Sequence, residues 1–411
     1  MAEGGGTPFE WLSGGFFFGK QKGGIDSIDS SKDIFSLLLG ANDCVSTILQ
    51  AAQKPPPTQQ HQQQNTKQDD SEQFFEARWS RLRFLLYDER KMTSQQADSR
   101  RSTPTIASTT CQSVTGEKLY HLLPTLLENL ALLPFESRKN ITAVFNYLLV
   151  CGLDGNDAEL YKPTMEMFRQ YVDANYVRFM RIIVHGHEAK LADVAIHFGS
   201  IYRSCLRHVS LYQQLVGNTE RAVNFVFPFL DKFVHLPDFD VSSDAMESVR
   251  LVFTAGGDTI SDELSQQYMA EIAAEFLSRD YEEVWDKRFN AKLLSDSSNY
   301  MVRRVALQIL SIVLLTRSNY QVMIRYVASR NNLILVMKLL RDTSPHITLD
   351  AFHVFKVFVA NPNKPPEVVK ILQDNKVKLS RYLTTLHQEK EANDTQFRDE
   401  KALIIATIEA I

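Results

Sequence analysis

Residues 300–312 read YMVRRVALQILSI, and three other stretches align on them: AKLADVAIHFGSI at 189–201, FDVSSDAMESVRL at 239–251 and PHITLDAFHVFKV at 345–357. All four share one alanine: Ala195, Ala245, Ala306 and Ala351. An apolar residue stands four before it (Leu191, Val241, Val302, Ile347) and another directly after it (Ile196, Met246, Leu307, Phe352). Apolar positions spaced by about one helical turn share a helix face, and a small residue at their centre lets a neighbouring helix come close. The alanines are 50, 61 and 45 residues apart. Two- and three-helix repeats of the armadillo and HEAT type run about 40–47 residues, and loop insertions lengthen them. The pattern predicts an all-α, armadillo/HEAT-like helical-repeat solenoid. In such a curved rod each repeat buries its apolar face against the next and leaves a long concave surface. A generic helical bundle is the competing architecture.

The wider composition agrees. The chain has 411 residues, 44% of them hydrophobic and 23% charged, which suits a soluble globular protein. Glycine (17) and proline (14) are too few for a sheet protein with many tight turns. The net charge of −4 gives no whole-chain attraction to nucleic acid or anionic lipid. No apolar run is long enough to span a membrane, and MAEGGGTPFEWLSGGFFFGK lacks the pattern of a secretory signal. Cys44, Cys111, Cys151 and Cys205 form no CxxC pair, so isolated thiols in a reducing cytoplasm are expected.

Residues 1–30 read as a flexible, Gly-rich segment with aromatic islands. Residues 31–116 carry divergent helices, among them EQFFEARWSRLRFLLYDE, interrupted by a Pro/Gln-rich stretch at 52–71 and a polar loop at 91–116. Both polar stretches bury too little to offset the entropy of ordering, so disorder is expected there. From 117 to 411 helix follows helix, broken at LPDFD, AGGD and ANPNKPP.

No constellation argues for catalysis. GGFFFGKQ has Gln21 where a phosphate-binding loop needs a magnesium-ligating hydroxyl. DGND at 154–157 lacks the ligand spacing of a calcium loop. His185, His187 and His197 suggest a metal at first sight, but Gly186 reads as a helix C-cap with a new helix from about Glu188, which separates them. No enzyme, metal, cofactor or small-molecule substrate is expected. One stretch does stand out. From Asn299 to Arg341 there are seven basic residues (Arg303, Arg304, Arg317, Arg325, Arg330, Lys338, Arg341) and no acidic one. Tyr300 and Arg304 share a helix face, as do Met337 and Arg341. An apolar anchor beside an arginine is what protein-binding hot spots favour. Nucleic acid is not expected, because the basic positions lack interleaved aromatics and flexible basic tails.

The string LLRDTSPHITLDAFHVFKVFVANPNK, the SNYMVRRVALQIL helix before it and the ending QFRDEKALI resemble the mouse protein 25 scaffold family, also called calcium-binding protein 39. IYRSCLRH and FDVSSDAMESVRLVF are similar to it more weakly, and the resemblance spans roughly 117–411. It implies a non-catalytic scaffold that binds STE20-type (germinal-centre) kinases or a STRAD-like pseudokinase. Such a scaffold holds the kinase domain closed and acts in cell polarity, morphogenesis and growth signalling. The family's kinase contact matches Phe239, Tyr300, Arg304 and Arg317, and its pocket for a partner's C-terminal Trp-Glu-Phe peptide includes Met337, with Arg341 beside it. Two family lysines depart, to Gln308 and to a position near Asp374, which removes positive charge from the peptide side. A solenoid adaptor that tethers cargo without activating a kinase is the alternative.

Overall fold

The computed structural model describes residues 124–150, 168–257, 260 and 263–411, together with Glu76 alone. The expectations for residues 1–30, 52–71 and 91–116, for Gln21 and for 154–157 lie outside the described residues. Among the described residues every regular element is helical and there is no strand.

In chain order the helices are α1 (Phe135–Val150), α2 (Tyr176–Gly186), α3 (Ala192–Cys205), α4 (Val209–Val216), α5 (Thr219–Phe225), α6 (Phe227–Asp231), α7 (Phe239–Phe253) and α8 (Glu263–Arg279). A π-helical segment, Glu282–Leu293, follows. Then come α9 (Tyr300–Leu315), α10 (Tyr320–Ala328), α11 (Arg330–Leu339), α12 (Pro345–Ala360), α13 (Pro366–Thr385), α14 (Gln388–Asn393) and α15 (Thr395–Ala410). Starts and stops follow local chemistry. Asp238, Asn299 and Asp394 cap α7, α9 and α15 by accepting from the third residue on, at 3.0, 2.8 and 2.9 Å. AGGD ends α7 because Ala255, Gly256 and Gly257 all take positive φ. NPNKPP separates α12 from α13, which opens on Pro366.

The four aligned segments become α3, α7, α9 and α12, and they stack in that order, with α1 before them and α15 after. All four alanines are buried, three of them completely. The flanking positions follow the pattern in the last three segments. In the first, Leu191 is exposed and Ile196 only half-buried, so Val194 and Phe198 carry the packing instead. The ladder helices run parallel: Arg138 and Asn146 of α1 meet Asp193 and Ser200 of α3, and Phe352 and Lys356 of α12 meet Phe397 and Glu400 of α15. Polar rungs fix the register between neighbours. Arg203 of α3 binds the Asp244 carboxylate of α7 at 2.6 Å, and Gly199 makes room for that carboxylate, which would sit 1.8 Å from a Cβ there. The remaining helices form outer layers, α2 on α3, α8 on α4 and α10, α11 on α12 and α13 on α15. The architecture is an all-α helical-repeat solenoid with a parallel ladder along one side.

Gly186 corrects the sequence expectation. It is the last residue of α2 rather than a cap beyond it, and the next helix begins at Ala192, not near Glu188. A Cβ at Gly186 would fall 2.0 Å from the Phe198 ring, so the glycine serves helix-to-helix approach.

Candidate partner-binding surface

Tyr300 is the first residue of α9 and keeps 42% of its surface exposed. One turn on, Arg304 reaches back to it, with Nη1 at 3.4 Å from the phenol oxygen. Arg304 Nε also lies 3.6 Å from Oδ2 of Asp350 on α12, and the same oxygen accepts from Gln308 Nε2 at 3.3 Å. Burial raises the Asp350 carboxyl above the ordinary range, and the Arg304 guanidinium opposes that rise. Arg304 is thus held in place from α12 while part of its fork faces solvent.

Phe239 is the first residue of α7 and is 66% exposed. It and Tyr300 each stand six residues before a buried ladder alanine, so they occupy the same repeat position on neighbouring helices. Two aromatic rings and one oriented guanidinium therefore face out from the N-terminal edge of the ladder. Gln308 lies one turn further along α9.

Arg317 is not part of this group. It opens a short 3-10 turn after the end of α9, seventeen residues beyond Tyr300, or about 25 Å at the rise of a helix. The basic stretch is also less free than its composition implies. Arg303 pairs with Asp342 at 3.1 Å, and Arg325 pairs with Glu282 at 3.2 Å while lying over the Tyr281 ring. Arg317, Arg330, Lys338 and Arg341 have no carboxylate within ion-pair distance among the described residues.

Met337 and Arg341 meet in a different place. They line a cleft of about 690 Å³ between α11 and α13, together with Ile334, Leu340, Ile371, Leu379 and Tyr382. Lys338 and Lys378 join Arg341 among the lining residues, and none of those residues is acidic. Asp374 is exposed on α13 one turn before Lys378 and does not line the cleft. Reading Asp374 as a lost charge overlooked Lys378, whose helical spacing from Ile371 and Asn375 was the available signal. An apolar floor with three cations suits a short peptide that carries bulky apolar side chains and a carboxylate.

The histidines do not converge. His187 is buried, stacked on Phe233, and donates from Nδ1 to the Ile183 carbonyl at 3.0 Å. His185 points to solvent and His197 is half-buried on α3. Among the described residues no group of three His, Cys, Asp or Glu is arranged to hold a metal ion. Cys205 is a buried thiol pushed up to about 12 by desolvation, which makes it inert as a nucleophile. No helix of the described residues is long and apolar enough to cross a membrane.

A family profile described as Mo25-like matches residues 41–411, so the match begins well before residue 117 and takes in the Pro/Gln-rich stretch. The chain is 34% identical over 296 residues to the human (Homo sapiens) "Calcium-binding protein 39-like", covering 71% of this chain and 77% of that protein. It is 36% identical over 286 residues to the "Mo25-like protein" of Schizosaccharomyces pombe, covering 70% and 76%. It is 31% identical over 318 residues to the "Conidiophore development protein hymA" of Emericella nidulans, covering 73% and 76%. A designed armadillo repeat protein superposes only loosely, with a TM-score of 0.35 at 14% identity over 79% of this chain and 99% of its own, and the ladder itself carries the fold. With a profile spanning most of its length and relatives above 30% identity over more than two thirds of it, this helical ladder belongs to the Mo25-like family.

Proposed function

We propose that the chain is a non-catalytic cytoplasmic scaffold that binds a STE20-type kinase, or a related pseudokinase, along the N-terminal edge of its ladder and favours the closed, active kinase conformation. It would act in polarity, morphogenesis and growth signalling, as the family resemblance implies. The observation that carries the reading is the arrangement of Phe239, Tyr300 and Arg304. Exposed aromatics and an oriented arginine on rigid, neighbouring helices are the ingredients of a binding hot spot. The mechanism is population shift. A rod that contacts the closed kinase better than the open one moves the equilibrium by that difference in affinity, and about 1.4 kcal/mol changes the ratio tenfold. The cleft at Met337 and Arg341 is a separate docking point for an acidic, aromatic C-terminal peptide of the partner.

The test adds the purified protein to a STE20-type kinase from the same cells and measures turnover. Acceleration that saturates with the protein is expected. A kinase that binds but is not accelerated would mark a tethering adaptor instead.

A further inference from the structure

We propose that the partner contact continues past Phe239 onto α3 and α1, so that Leu191 and Phe135 touch the same folded domain, and that this domain turns basic groups towards α7 and acidic groups towards α9. The proposal rests on the kinase-binding reading above and assigns it further specificity-determining residues and a polarity.

The ladder geometry leads there. Phe135 is the first residue of α1 and is 56% exposed; Leu191 immediately precedes α3 and is 44% exposed. Because α1 and α3 run parallel with Arg138 opposite Asp193, Phe135 lies beside Leu191 at the N-terminal edge. Because Gly199 and Arg203 lie opposite Asp244, Leu191 falls within about one turn of the level of Phe239. Leu132, in the turn before α1, is exposed as well and extends the apolar edge there. Exposed large apolar side chains thus stand at the same end of four consecutive ladder helices, α1, α3, α7 and α9. Single exposed apolar residues are ordinary on a protein surface; an aligned row on adjoining rigid elements marks an interaction face.

The spacing selects the kind of occupant. Packed helices lie about 8–10 Å apart, so four of them span about 24–30 Å. That is the width of a small folded domain. The row also crosses the helices rather than following a groove between two of them, which suits a domain surface and not an extended peptide.

Charge supplies the polarity. Asp240 follows Phe239, is exposed, and has no cation within ion-pair distance among the described residues. The N-cap of α7 is already provided by Asp238, so helix capping does not use Asp240. Glu136 follows Phe135, and among the described residues its ion-pair partner is Lys139 at 3.7 Å, an exposed pair. On α9 the sign reverses: no acidic residue stands in the first turn, and Arg304 faces out. Neighbouring helices are about one Debye length apart at physiological salt, so each charge is read mainly by the group facing it.

The experiment measures the affinity of the full-length protein for a STE20-type kinase catalytic domain at physiological salt, with melting temperature recorded for each variant. Tyr300→Ala and Arg304→Glu test the underlying reading. Phe135→Ala combined with Leu191→Ala, and Asp240→Lys, test this one. The double variant is expected to weaken binding at least about fivefold with an unchanged melting temperature, and Phe135→Leu to retain most of the affinity. Asp240→Lys is expected to weaken binding a few-fold, in the same direction as Arg304→Glu although the charge change is opposite. If Tyr300→Ala and Arg304→Glu weaken binding while the double variant binds as the unaltered protein does, the extension onto α3 and α1 is wrong and the kinase reading stands. If Asp240→Lys strengthens binding, the partner surface is uniformly acidic and the polarity is overturned. If neither Tyr300→Ala nor Arg304→Glu has any effect, the kinase reading fails and the extension falls with it.

Discussion

Ala306 has no exposed surface and sits on α9, which packs against α7 on one side and α12 on the other. Anything larger there must push one of those helices away. Ala306→Leu is expected to destabilise by about 1–3 kcal/mol, read as a lower denaturant midpoint, with helical content kept. A neutral substitution would mean the ladder is not closely packed at that alanine. Two histidines make a separate prediction at the same scale. His187 and His208 are buried, donate to the Ile183 and Leu149 carbonyls, and are held down from 6.5 to about 4 by desolvation. Above about pH 6.5 both are neutral whether the chain is folded or not, so their contribution is fully present. As pH falls towards 4 the unfolded chain takes up protons that the folded one refuses, and stability drops by up to roughly 3 kcal/mol per histidine. Denaturant midpoints measured from pH 7 to 4.5 should decline, and His187→Phe should flatten part of that slope. A flat profile in the unaltered protein contradicts the burial argument.

Elements show how chemistry far along the chain closes the fold. Lys401 of α15 is almost fully buried, with Nζ bound to the Thr384 and Leu386 carbonyls at the end of α13 and to Glu391 of α14. Lys401→Met leaves those acceptors without their donor. It should cost about 2–4 kcal/mol and expose the C-terminal helices to protease first. A protein of unchanged stability would show that water replaces the ammonium freely. The cleft between α11 and α13 gives a second prediction. Met337→Ala and Lys378→Glu should each weaken an acidic, aromatic C-terminal peptide by about 1–3 kcal/mol and leave kinase-domain affinity largely intact. Fluorescence titration with such a peptide reads this directly, and equal losses on both ligands would merge the two sites into one. Helix identity and the breaks at LPDFD, AGGD and ANPNKPP were legible in the sequence, because such breakers act within a few residues; the caps Asp238 and Asn299 emerged only in the structure. The π-helical segment Glu282–Leu293 was not, since it carries no local signature apart from its surroundings. Gly186 was misread for a related reason: its constraint is the Phe198 ring, which only the tertiary structure brings near.

At the level of the whole molecule the repeat was readable because four alanines at equivalent positions must all face a neighbour. The placement of site residues was readable only where spacing is helical. Tyr300 and Arg304 are four apart and do share an edge, and Phe239 joins them through the repeat. Arg317 belongs to the same basic stretch yet sits at the far end of α9, because composition does not say how far a helix carries its residues. The partners of Arg303, Arg304 and Arg325 come from outside the stretch, so a run without acids still acquires Asp342, Asp350 and Glu282 on folding. Salt should separate the two surfaces: screening weakens the Arg304 contact more than the apolar contact at Met337. The most direct measurement takes Arg304→Glu, confirms by melting temperature that it is fully folded, and titrates it against a STE20-type kinase domain beside the unaltered protein. A loss of affinity larger than that of Arg304→Ala, with stability unchanged, is the predicted result. A folded Arg304→Glu protein that binds as tightly as the original would contradict placing the functional surface on this edge of the ladder.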